Sequence, residues 1–208
     1  FSDGERVSGM TLLILAMLRG HEGLAEALLQ RGADLSLQTS NGATALMLAA
    51  AHGFEKLVEL ALRHGAEINE QATLGSTALM GAAGSGHENV IDALIRHGAA
   101  IDLQDDTGDT ALIRAAFHGH PAALLCLLRA GADVTLHTTD GKTALQFAKE
   151  QGHAKCVRAL KEHAAAEKAA ERAAAEAAWA AGAAEREAQR AAEEKEAARH
   201  AEELLAEV

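Results

Sequence analysis

From Thr11 onward, apolar and polar positions follow one pattern that repeats every 33 residues. Each round opens with a threonine (Thr11, Thr44, Thr77, Thr110, Thr143) and a short run of apolar and small residues, such as Ala45 to Ala51. A glycine follows nine residues after the threonine, at Gly20, Gly53, Gly86, Gly119 and Gly152. A second apolar-patterned stretch comes next, and in the first four rounds it ends at a glycine-alanine pair beginning at Gly32, Gly65, Gly98 or Gly131. A hydroxyl side chain ahead of an apolar run is an N-cap signal, and a glycine behind one is a stop signal. The pattern therefore predicts two helices per round and a polar loop, such as Asp34 to Asn41, leading to the next. A unit of this size cannot bury its own apolar face, so neighbouring units must stack.

The strings GATALMLAAAHG at 42–53, GSTALMGAAGSG at 75–86 and GDTALIRAAFHG at 108–119 resemble ankyrin repeats. Five such units are read, at 9–41, 42–74, 75–107, 108–140 and 141–163, with residues 1–8 as an N-terminal segment. The resemblance implies an all-α fold, an ankyrin-repeat solenoid of helix-turn-helix units with short loop fingers. The chain departs from the family pattern in one consistent way. The proline expected at the first helical position is Leu12, Ala45, Ala78, Ala111 or Ala144, and the histidine two residues later is Ile14, Met47, Met80, Ile113 or Gln146. Alanine is a good helix former without proline's preset φ, so the effect on the helices is small. The departures point to a natural, divergent sequence over a consensus design.

The last unit breaks the pattern, because Ala164 stands where the glycine stop belongs. From about Ala154 to Glu207 there is no proline and one glycine, Gly182, and 21 of the 45 residues after His163 are alanine. That composition predicts one long helix, 164–208 continuing the last repeat helix, about 80 Å long at 1.5 Å per residue and expected to leave the repeat stack. Favourable pairs along it are few: Arg172 with Glu176, Glu187 with Arg190, Glu196 with Arg199, Arg199 with Glu203. One heptad register carries only Ala170, Ala177, Ala184, Ala191, Ala198 and Leu205, a seam of small side chains with coiled-coil character that suits docking against another helix. Trp179, the only tryptophan, lies off that seam.

Charge and composition narrow the function. The net charge is −11, divided as −6 in the first 163 residues (13 basic, 19 acidic) and −5 in the last 45 (6 basic, 11 acidic), so neither part carries the clustered cations of a nucleic-acid binder. No run of 18 apolar residues is present, which argues against a membrane span, and no secretory signal is recognisable. Two cysteines, Cys126 and Cys156, form no disulfide framework and read as small core hydrophobes in a reducing, cytoplasmic setting. His21, His87, His120 and His153 recur at one repeat position and read as punctuation for the second helix, not as metal ligands, since equivalent positions of stacked units stand about 10 Å apart. Asp102, Asp105, Asp106 and Asp109 form the densest acidic group, read as a solvated finger facing a partner. No nucleophile, phosphate-binding or paired-carboxylate motif is visible, so neither catalysis nor a cofactor is expected.

What remains is surface. The resemblance implies binding on the concave side, built from loop tips and the exposed ends of the first helices. Mapped by offset from each threonine, the helix ends supply Leu18, Arg19, His52, Phe117, His118 and Glu150. The fingers supply Leu74, Asp106, Asp109 and Lys142. Phe117 with His118 is the expected anchor, because an aromatic at an exposed offset offers the most contact energy. Gln38, Gln71 and Gln104 recur along the loops as a row that could bond an extended partner. Lys149 and Lys161 replace apolar residues of earlier units and mark a polar end cap, whereas the apolar first helix Leu12 to Leu18 predicts an N-terminal end covered by a partner or by upstream repeats, the chain opening on Phe1 and so reading as a fragment or processed product. Together these features predict a non-catalytic adaptor or scaffold with protein partners on the repeats and on the helical arm, Trp179 being the arm's contact residue. The alternatives are a permanently assembled subunit of a cytoskeletal or ciliary complex, and a regulatory part of an enzyme.

Overall fold

A computed structural model of the chain describes residues 10–206; the N-terminal segment 1–8 and the terminal Val208 lie outside the described residues, as do the side chains of Ala191 and Leu205. The described part is helical, with two isolated bridges, Gln38 to Thr44 and His137 to Thr143, in the loops. It divides into two compact units between Glu162 and His163.

In the first unit, short helices alternate between two layers. One layer holds α1 (Leu12–Leu18), α3 (Ala45–Ala51), α5 (Ala78–Ser85), α7 (Ala111–His118) and α9 (Ala144–Glu150), each packed on the next. The other holds α2 (Glu22–Gln30), α4 (Glu55–Arg63), α6 (Glu88–Arg96) and α8 (Pro121–Arg129), stacked in the same order. The threonines cap as expected: the hydroxyls of Thr11, Thr77 and Thr110 accept from the backbone N–H three residues on at 3.1, 3.2 and 3.2 Å. Thr143 adds a capping box with Gln146. Alanine pairs such as Ala49–Ala50, Ala82–Ala83 and Ala115–Ala116 are fully buried where first helices meet, and small side chains there let the helices come close. Larger residues, among them Leu57, Ile91, Leu94, Leu124 and Leu127, fill the space between the layers. Cys156 is buried in this core and Cys126 half-buried beside it; burial pushes both thiols up, as for inert hydrophobes.

The recurring histidines do something other than punctuate their own helix. His21, His87 and His120 each stand at the N-cap of a second helix, and none makes a side-chain cap bond there. The ring of His87 instead covers Gly53 of the preceding unit, where a Cβ would lie 2.6 Å from the imidazole, and its Nε2 donates to the Ala51 carbonyl at 3.1 Å. His153 repeats this over Gly119, donating to the Phe117 carbonyl at 3.0 Å. Phe54 takes the same place over Gly20. These rings are joints between units. The glycine beneath serves twice, since Gly53 also has φ of +76°.

Beyond α9 comes α10 (Ala154–Ala206), a 53-residue helix whose first turns belong to the repeat core through Cys156, Ala159 and Leu160. Helical backbone runs through Ala164, where the other units turn at glycine. Among the described residues its ion pairs are Arg158–Glu162 at 2.7 Å and His163–Glu167 at 3.4 Å; the pairs expected at Arg172–Glu176, Glu187–Arg190 and Glu196–Arg199 do not close, and the side chain of Glu203, expected to pair with Arg199, lies outside the described residues. No helix among the described residues is long and apolar enough to cross a membrane. The end-cap expectation needs adjusting, because Lys149 and Lys161 stand around a groove of about 540 Å³ lined by Ala148, Gly152, Ala154 and Val157. At the other end Leu12 is 56% exposed, while Leu13, Ile14 and Met17 are covered by the stack.

Candidate functional site

The loops joining successive units run side by side and are bonded backbone to backbone: Thr73 N–H to the Asn41 carbonyl at 3.2 Å, Asp106 to Leu74 at 3.1 Å, Thr139 to Thr107 at 2.9 Å. Gly108, with φ of +80°, marks the closeness, since a Cβ there would lie 2.8 Å from the Thr138 Cα. Two expectations change as a result. The glutamine row is spent within the protein: Gln71 Nε2 donates to the carbonyls of Gly75 (2.8 Å) and Gln104 (3.1 Å), Gln104 Nε2 to those of Gly108 (2.9 Å) and His137 (3.0 Å). Gln38 bonds the Glu70 carboxylate at 2.7 Å. Those amides tie fingers together and are not free to capture a partner's backbone.

The acidic finger is likewise only partly solvated. Asp105 turns inward, its side chain 5% exposed, accepting from the Thr107 and Asp109 backbone N–H groups at 2.9 Å each and pairing with Arg114 Nη2 at 2.6 Å. Burial alone would raise its carboxyl, but these donors, with the Thr107 hydroxyl and Arg114 foremost, outweigh it and hold the group below the usual carboxylate range. Asp102 accepts from Asp133 N–H of the next unit at 3.0 Å. Asp106 remains exposed, and Asp109 is half-buried with its carboxyl pushed up, first by burial and then by the like charge of Asp105, against the pull of Arg114.

On the helix side, Asp109, Phe117 and His118 line one groove of about 480 Å³, together with Ala51, Met80, Arg114 and Phe147. Phe117 is 40% exposed and does not fold over its own repeat; its ring meets Phe147 of the next unit edge-on at 5.6 Å and His118 at 5.0 Å. His118 is held below the usual imidazole range, chiefly by burial and by neighbouring His120 and Arg114, so it is neutral near pH 7. Lys142 and Glu150 pair with each other at 2.8 Å, and the Lys142 ammonium stands 5.4 Å over the Phe147 ring. The remaining candidates lie apart from this groove. His52 is exposed, its Nδ1 on the Leu48 carbonyl at 2.9 Å and its ring stacked on Phe54; Leu74 is 71% exposed on its finger; Leu18 and Arg19 end α1; Trp179 is 72% exposed on α10.

Six groove residues escaped the sequence reading: Ala51, Met80, Gly81, Gly84, Arg114 and Phe147. Three of them, Gly81, Arg114 and Phe147, share the position four after the threonine, where the other units carry Leu15 and Leu48. Such freedom of residue type marks a surface position and was a usable signal.

Helix pairs stacked in register, fingers zipped along one edge and a variable row on the first helices define a repeat solenoid, a class whose surface is its working part. A family model described as ankyrin repeats (3 copies) matches residues 2–72 and again 57–138, and the chain belongs to the ankyrin repeat family. No curated protein matches it. Repeats of this family generally mediate protein–protein interaction and are typically non-catalytic.

Replacing Asp105 with alanine leaves Arg114 and two backbone N–H groups without their acceptor, and should lower unfolding free energy by about 2–3 kcal/mol in urea titrations. The pH dependence has a definite sign. A depressed folded-state carboxyl adds stability above its unfolded value and loses it as pH falls through the folded one. Stability of the wild type should therefore drop in acid more steeply than that of Asp105→Ala; parallel acid limbs would remove this network from the account.

Proposed function

We propose that the chain is a non-catalytic adaptor: five repeats, with the boundaries given above, hold a partner protein on the concave face, and the helical arm 164–208 docks to a second protein. The observation that carries this is Phe117. A large apolar ring stays 40% exposed in a cluster with Phe147 and His118, on the face where the family binds, beside a groove built from several units. Aromatic residues that line a concave site are frequent carriers of binding energy once a partner covers them. The sites proposed for contact are Phe117, His118 and Asp109 at the groove, Asp106 and Leu74 on the fingers, and His52 beyond it. Leu18, Arg19, Lys142 and Glu150 form the flanks.

Permanent incorporation into a larger assembly is the second reading, and two exposed apolar features favour it: Trp179 on the arm and Leu12 at the first repeat. A tryptophan buried in an interface is a strong anchor, and Trp179 is exposed and available for that role.

Peptides selected on the immobilised full chain from a random library test the first reading. Phe117→Ala should weaken their binding about tenfold or more while leaving the thermal midpoint nearly unchanged, as expected for a hot-spot ring at the surface; binding indifferent to Phe117 would place recognition elsewhere. For the arm, fluorescence of the single tryptophan reports directly. In the monomeric chain acrylamide should quench Trp179 as readily as a free indole, and protection without a partner would mean that the ring is already packed.

A further inference from the structure

Four of the five units carry side chains both four and seven residues after the capping threonine: Leu15 and Leu18, Leu48 and Ala51, Arg114 and Phe117, Phe147 and Glu150. In α5 both positions are bare, at Gly81 and Gly84. The backbone does not require glycine at either, since both lie inside a regular helix and neither is among the positive-φ residues. Packing does not require it at Gly84, where a Cβ would meet the His118 Cδ2 at an ordinary 3.5 Å; at Gly81 it would meet the Ala51 Cβ at 3.3 Å, tight by a few tenths of an ångström. Two interior glycines weaken so short a helix relative to alanine. What they leave is the groove itself, floored by α5 backbone and walled by Phe117, His118 and Phe147.

Its charges are out of balance. Asp109 lines the groove with Asp105 and Asp140 close enough to act on it. The cation on the wall, Arg114, is held by Asp105 at 2.6 Å, Lys142 is held by Glu150 at 2.8 Å, and among the described residues no cation closes an ion pair on Asp109. An apolar occupant would strip water from that carboxylate and return nothing, and an anion would meet like charge. A guanidinium answers both surfaces: it is weakly hydrated, lies flat on aromatic faces and forks onto a carboxylate. A cation set over a ring and paired with a carboxylate already occurs within the protein, in its lysine form, where the Lys142 ammonium stands 5.4 Å over Phe147 and pairs with Glu150.

We propose that the groove over Gly81 and Gly84 receives an arginine side chain of the partner protein, its guanidinium against Phe117 and His118 and its fork on Asp109. The proposal rests on this face being the protein-binding surface and names what that surface reads. Arginine is preferred over lysine because the site offers a ring face and a carboxylate together, and the compact, strongly hydrated ammonium uses the first poorly.

The probes are library-selected peptides that bind the full chain in a Phe117-dependent way, each resynthesised with arginine, lysine or the uncharged isostere citrulline at its basic position. Citrulline should weaken binding roughly tenfold or more, and lysine by less. Asp109→Asn should erase most of the difference between arginine and citrulline. Gly84→Leu fills the groove and should abolish the arginine preference; Gly84→Ala, which adds one methyl at ordinary contact distance, keeps the test open if the larger side chain disturbs folding, and should reduce affinity with an equal or higher thermal midpoint. Phe117-dependent peptides that lack arginine, or that tolerate citrulline, would overturn the arginine site while leaving the binding face in place. Selection that yields only Phe117-independent peptides would overturn both.

Discussion

An aromatic ring laid on bare glycine backbone sets the spacing between units. With His87 on Gly53 or His153 on Gly119, any Cβ would stand 2.5–2.6 Å from the imidazole, so the preceding first helix must end in glycine for the next unit to seat at all. The ring then donates to a carbonyl two residues before that glycine, Ala51 or Phe117. A carbonyl can only accept, so the bond fixes the tautomer and orients the ring. The carbonyls it holds belong to residues whose side chains line the groove. The joint that stacks the repeats thus also steadies the surface they present.

Around that joint most positions are committed. Alanine pairs keep the first helices close, threonines cap them, and the fingers are zipped by backbone bonds and glutamine amides. Variation is left to the exposed row of the first helices, and there the units differ: leucines in α1, glycines in α5, Arg114 and Phe117 in α7, Phe147 and Glu150 in α9. Chemical variety is confined to positions where stacking places no demand. The same reasoning explains the end of the repeats, since Ala164 lacks the stop that glycine supplies elsewhere and the helical hydrogen bonding of α10 simply continues past it.

Much of this was legible in the sequence because it repeats. Period, caps, stops and the continuing last helix each depend on one residue type at a fixed offset, and local physics decides them. Phe117, His118 and Asp109 were singled out because their offsets are surface offsets, and they line one groove. Residues whose role depends on the neighbouring unit were misread. The imidazoles looked local because the ring and its glycine lie in different repeats, 34 residues apart for Gly53 and His87. Asp105 looked solvated because its partner Arg114 comes from the next helix, and the glutamines looked free because their acceptors lie one repeat on. Gly81 and Gly84 were passed over, since an empty space has no signature of its own.

The joint between units is tested most directly by equilibrium unfolding of His87→Ala, followed both by helicity and by amide protection on either side of Gly53. The variant loses a hydrogen bond to a half-buried carbonyl and the ring that covers the glycine, and stability should fall by about 1–3 kcal/mol, with the first two repeats exchanging their amides ahead of the rest. A single transition at the wild-type midpoint, with protection unchanged across the boundary, would contradict the account.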